Sequence, residues 1–250
     1  MLKMSILAIV GALVCGCVGA KVVQDVVGWQ KVYSVLWVAK ADVVIDGKLD
    51  EGVWGKCQLL DDFTLPWEEG VAAQRTEFRA FCDSEHFYFG FKAWEKTPVI
   101  VEAWSGKETL VAEDRVEIYF SPDGTMANYY CLEIDMLGRV LDYQCSQDER
   151  GPAARRADRS WNCEGLEVAA TRGGEGDDAF YIVEGRIPLK TLRAWGMPED
   201  MMSVGLFRAD LERGGDGKIV SHWITWVKAN TEKANFHVAS AFGLFKIQKQ

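Results

Sequence analysis

The sequence predicts an all-β fold, an antiparallel β-sandwich of immunoglobulin-like or jelly-roll-like kind with one or two short helical turns. Three observations predict it. Apolar residues recur with a period of two in many short segments, turn residues separate those segments at regular intervals, and helical periodicity is nearly absent. The chain has 250 residues, 48% hydrophobic and 26% charged, enough to bury a core without metals or disulfides. Its net charge of −9 excludes a nucleic-acid partner, which needs a basic face.

The first seventeen residues read as an export signal. Lys3 supplies a positive start and Ile6 to Val14 form an uncharged apolar run. The run is too short to span a bilayer, which takes roughly 20 apolar residues, but it suits the hydrophobic region of a signal. Val14-Cys15-Gly16-Cys17 follows it directly. A small residue just before a cysteine there resembles a bacterial lipobox, with Cys17 lipidated and the protein anchored to a membrane facing the periplasm or the outside. The competing reading is cleavage after Val18-Gly19-Ala20, which releases a secreted protein. Residues 18–40 form a tether entering a first strand, Val32 to Val38, and residues 41–250 form the sandwich.

The remaining elements follow in order. Asp46, Asp50 and Glu51 lie in a glycine-containing turn, where carboxylates cap backbone amides; calcium is possible there, since it takes hard oxygen ligands. Glu77 to Cys82 alternates, Asp83-Ser84-Glu85 turns, and His86 to Trp94 returns with Phe87, Phe89 and Phe91 on one face. Val116, Ile118 and Phe120 alternate with Arg115, Glu117 and Tyr119, ending at Ser121-Pro122-Asp123-Gly124. Tyr130, Leu132 and Ile134 oppose Cys131, Glu133 and Asp135, and Gly138 closes a hairpin into Val140 to Cys145. Gln147 to Arg159, with four arginines, reads as a long surface loop, and glycine-rich Arg172 to Asp178 as a turn. Phe180 to Ile187, Val204 to Leu211, His222 to Trp226 and Leu244 to Ile247 complete the strands. Leu189 to Trp195 is the best helical candidate.

Cys57, Cys82, Cys131, Cys145 and Cys163 remain after the signal. An odd count allows at most two bridges, and small buried thiols are the simpler reading. No pair has zinc-like spacing, so no metal-thiolate site is expected. There is no nucleophile elbow, phosphate loop or dinucleotide glycine pattern.

Several local patterns, in this order, resemble the family 9 carbohydrate-binding modules. They are Ile45-Asp46-Gly47-Lys48-Leu49-Asp50-Glu51-Gly52-Val53-Trp54, the turn Asp83 to Tyr88, Glu113-Asp114-Arg115-Val116-Glu117-Ile118-Tyr119, Glu184-Gly185-Arg186-Ile187-Pro188, and a closing run from Trp223 through Phe236-His237 to Phe242-Gly243. The resemblance implies an antiparallel β-sandwich that holds an oligosaccharide or a polysaccharide end beside polysaccharide-degrading enzymes. In the family two tryptophans clamp a terminal sugar; the corresponding positions here are Val111 and Phe236. A family arginine on the strand after the "V-E" pair is replaced by Glu133.

A sugar needs flat apolar faces for its C–H patches and convergent polar groups for its hydroxyls. The candidate binding residues are therefore Trp104, Glu117, Glu133, Trp226, Phe236 and His237. Trp104 substitutes for the missing clamp from the loop Glu102 to Glu108. Glu117 and Glu133 share a face if their strands are neighbours, where they serve as surface charges, as sugar ligands, or as the acid and base of a glycoside hydrolase. Trp226 is either core or site. Trp54 reads as core, and Arg208 as half of an ion pair. The function expected is non-catalytic carbohydrate binding. Its rivals are a scaffold lipoprotein with a degenerate sugar site, a haem-binding sandwich drawing on His86, His222 or His237, and a glycoside hydrolase acting alone.

Overall fold

The period-two segments fold as strands in the computed structural model, which describes residues 31–249. The export signal, Cys17 and most of the tether lie outside those residues. The strands are β1 (Val32–Trp37), β2 (Thr76–Cys82), β3 (His86–Trp94), β4 (Arg115–Ser121), β5 (Asn128–Asp135) and β6 (Val140–Ser146). They continue with β7 (Arg156–Asp158), β8 (Glu167–Gly173), β9 (Phe180–Pro188), β10 (Met201–Arg213), β11 (Ile219–Thr225) and β12 (Gly243–Gln248). Among the described residues one α-helix, α1 (Leu189–Ala194), interrupts them where sequence placed it, and Gly196 at φ +86° follows its end, a left-handed stop that glycine adopts without a Cβ penalty.

The twelve strands form one curled sheet, a half-barrel consistent with an all-β sandwich. The order is β7-β6-β5-β4-β10-β12-β1-β2-β3-β9-β8, and β11 joins at β10. Strand β1 departs from the antiparallel expectation: it pairs in parallel with both β12 and β2. Strand β10 is thirteen residues long and forks the sheet. β4 lies along one edge from Ser203 to Ala209. On the other edge β12 takes Met201 to Val204 and β11 takes Phe207 to Arg213.

The main core lies on the face holding Phe87, Phe89, Phe91, Val116, Ile118, Phe120, Leu132 and Leu206. Trp54 is buried edge-on against Phe81 in a smaller cluster under the opening turn. In that turn Asp46 accepts from the Lys48 amide and Glu51 from the Val44 amide. Between β5 and β6, Gly138 at φ +76° closes the expected hairpin while Asp135 accepts from the amides of Leu137 and Arg139. Two short elements went unread in the sequence. β8 is an edge strand without clean alternation, and β7 is three exposed residues inside the arginine-bearing loop.

All five described cysteines are buried thiols. Arg208 is fully buried and paired with Glu95 and Asp210, each at 2.8 Å.

Candidate functional site

On β4 the apolar residues face the main core, so Arg115, Glu117 and Tyr119 occupy the opposite face. The antiparallel register sets Glu117 directly across from Glu133 on β5, as the shared parity of the two carboxylates requires. Arg115 lies between them: its Nε is 2.5 Å from Glu133 Oε2 and 3.0 Å from Glu117 Oε1. Tyr119 donates to Glu117 Oε2 at 2.6 Å, and Tyr143 donates to Glu133 Oε1 at 2.7 Å.

This face is not a solvated strand surface. The segment between β11 and β12 folds over it, bringing Phe236 into a stack with Phe207 (centroids 4.1 Å apart, planes at 12°). His237 lies against Tyr119 at 5.3 Å and 27°. The covering segment removes water, which disfavours the ionised carboxylate. Burial, reinforced by the neighbouring Glu133 charge and opposed by Arg115, pushes the Glu117 carboxyl up to about 8. Burial and the charges of Arg155 and Arg159 push the His237 imidazole down to about 3, leaving it neutral. Its Nδ1 is 3.0 Å from the Tyr129 hydroxyl.

A cavity of about 320 Å3 opens beside the carboxylate pair. Trp223, Phe236 and Val111 form its apolar walls. Trp223 stands edge-on to Phe236, centroids 5.6 Å apart and planes at 84°. The polar wall is the Arg115–Glu117–Glu133 cluster with its two tyrosines, and Arg155 and Arg159 stand opposite from the Gln147–Arg159 segment. Apolar planes facing a few convergent polar groups are the composition of a small-molecule site.

Four of the six residues singled out by sequence meet here: Glu117, Glu133, Phe236 and His237. So does Val111, the other position that the family resemblance marks as a clamp. Phe236 is only 6% exposed, with one ring face covered by Phe207. Two residues lie elsewhere. Trp226 is 2% exposed, packed on Phe245 in the main core, because period two turns it to the face opposite Trp223's neighbour Phe236. Trp104 is 40% exposed and does not line the cavity; its ring lies under the Arg139 guanidinium at 4.7 Å, and Arg139 is held by Glu113 and Asp135.

Sequence reasoning missed Trp223, Arg115, Tyr119, Tyr143, Arg155 and Arg159. Arg115 and Tyr119 share the parity of Glu117 and were findable. The two loop arginines carried no local signal for which face the loop would cover. Two groups among the described residues have metal-type donors. Cys131, Cys145 and His237 place ligand atoms within 4.8 Å of one another, as do Glu95, Asp114 and Asp210. Arg208 already neutralises part of the second group. The first combines side chains that are far apart in sequence, which spacing cannot show.

The carbohydrate family 9 binding domain-like family matches residues 45–250. The chain belongs to that family. Among solved structures, this family member is similar to a candidate carbohydrate-binding protein from Bacteroides uniformis ATCC 8492, with a TM-score of 0.67 and 18% identity over 87% of this chain and 99% of that one. It is also similar to a family 9 carbohydrate-binding module from Caldicellulosiruptor kristjanssonii. In complex with cellotriose that module gives a TM-score of 0.53 at 18% identity over 88% and 95% of the two chains. In complex with glucose it gives 0.51 at 19% identity over 88% and 97%. At such identities the likeness establishes the shared fold. No curated protein matches this family 9-like chain.

Proposed function

We propose that the cavity beside Glu117 and Glu133 binds the end of an oligosaccharide or polysaccharide, without catalysing its cleavage. One observation carries the reading. The Trp223 and Phe236 rings meet a polar wall of carboxylate, guanidinium and phenol groups in a single cavity, which is what a sugar's C–H faces and hydroxyls require. Family membership and the cellotriose and glucose complexes of the similar module support it. Arg115 fills the gap between the two carboxylates, where a glycosidase would hold the scissile bond, and this favours binding over hydrolysis. Shallow sugar sites compete with water for every hydroxyl, so affinity is modest.

The proposal extends to placement in the cell. The apolar run before Val14-Cys15-Gly16-Cys17 supports an exported lipoprotein tethered through Cys17, holding polysaccharide near degrading enzymes. Radiolabelled palmitate incorporated by the intact chain and lost in Cys17→Ser tests the anchor.

Titration calorimetry of the purified protein against neutral and acidic oligosaccharides tests the binding. Trp223→Ala is expected to weaken binding and Trp104→Ala to leave it unchanged. Failure of every saccharide to bind defeats the proposal.

A further inference from the structure

The whole chain is acidic, with 37 Asp and Glu against 28 Lys and Arg, yet the cavity reverses that balance. Three guanidiniums line it against two carboxylates. Arg115 is fully engaged by Glu117 and Glu133. Burial pushes the Glu117 carboxyl up, toward its neutral form, and Arg115 sits against both carboxylates, so the cluster largely compensates its own charge. Arg159 pairs with Glu108 at the exposed rim, its guanidinium 5.8 Å from the Tyr143 ring centroid. The Arg155 side chain has no ion pair or hydrogen bond among the described residues. Its neighbours in the cavity are phenols and the His237 ring, whose basicity is depressed by burial first and by the positive charges of Arg155 and Arg159 in addition.

A neutral sugar would leave that positive field uncompensated. An anionic one supplies the missing partner, and a carboxylate matches the planar fork of a guanidinium with two parallel hydrogen bonds. The effect is strengthened in a recess partly walled off from water. We propose that the cavity selects a carboxylated sugar, a hexuronate unit at a chain end, with Arg155 as the partner of its carboxylate and Arg159 as the second cation. This rests on the sugar-binding reading and names the class of saccharide for it.

The test uses a matched pair, tri-galacturonate and the same trisaccharide reduced at C6 to neutral galactose units. Both are titrated into the purified protein and followed by calorimetry and ligand-observed NMR. A sulfated galactose trisaccharide forms a third arm. The expected result is about tenfold or more tighter binding of the uronate at low ionic strength, since hydrogen bonds to charged groups are the stronger kind. That preference narrows as salt is raised. Arg155→Gln lowers uronate affinity about tenfold and neutral affinity less, and Arg155→Lys restores part of the loss. Arg155 is exposed, so neither variant threatens the fold, and circular dichroism verifies that. Equal or tighter binding of the neutral trisaccharide overturns this inference and leaves the sugar-binding reading standing. Tighter binding of the sulfated sugar overturns the carboxylate assignment. Failure of all three to bind overturns both.

Discussion

Glu117 and Glu133 stand opposite each other in adjacent strands with one guanidinium, that of Arg115, hydrogen-bonded to Glu133 and at ion-pair distance from Glu117. Two like charges in direct cross-strand register are unfavourable. Here the third charge and two phenol donors make the arrangement stable, and the price is an uncommon ionisation state for Glu117.

That state makes stability depend on pH. Burial pushes the Glu117 carboxyl up to about 8 when folded, against the ordinary 4.5 of a glutamate in the unfolded chain, so between those limits the folded protein holds a proton that the unfolded chain has released. By linkage, stability falls as pH rises through this window. Glu95 at about 8, with Glu113 and Glu184 at about 7, adds in the same direction. His237 opposes them, but only below its unfolded value of 6.5. The thermal midpoint is therefore expected to be higher at pH 6 than at pH 8. Glu117→Gln is expected to reduce that difference; calorimetric melts at the two pH values check it, and an unchanged difference would contradict the assigned shift.

Trp223→Ala is expected to weaken saccharide binding at least about tenfold, as truncation of a central aromatic does. The fold should survive, because the indole is only half buried. Titration calorimetry alongside a chemical melt separates the two effects.

Much of this was legible beforehand. The parity of Val116, Ile118 and Phe120 against Glu117 placed the carboxylate on the second face, and the family motif placed Phe236 beside it. Burial of that face was not legible, since it depends on the segment between β11 and β12 folding back over β4, a contact between residues about 120 apart in sequence. Trp226 and Trp223 show the same limit. Both are aromatic and three residues apart, and only the register of β11 on β10 shows that one is core and the other is wall.

Arg208→Met is expected to destabilise the protein by about 3–5 kcal/mol, the usual result of removing one partner from a buried ion cluster. It strands Glu95 and Asp210 in the interior. Urea unfolding measures the loss, and because the Arg208 side chain lies on the face of β10 opposite Phe207, saccharide affinity should not change for the fraction that remains folded.

Gly243→Ala is expected to cost about 1–3 kcal/mol through overpacking. A Cβ there would lie 2.4 Å from the Trp226 ring and 3.0 Å from the Lys31 carbonyl, so the closing Phe242-Gly243 pair is a packing requirement. A drop in thermal midpoint without loss of ligand affinity checks this.

The parallel pairing of β1 with both β12 and β2 has a temporal consequence. Among the described strands β1 alone joins, in the strand order, the half running from β7 to β12 to the half running from β2 to β8, and its neighbour on one side is β12, residues 243–248. During synthesis β1, the first described strand, must wait for β12, the last, with both halves of the sheet presenting open edges in the meantime. Such edges invite pairing with other chains, so a nascent molecule stalled before residue 243 is the form most exposed to aggregation.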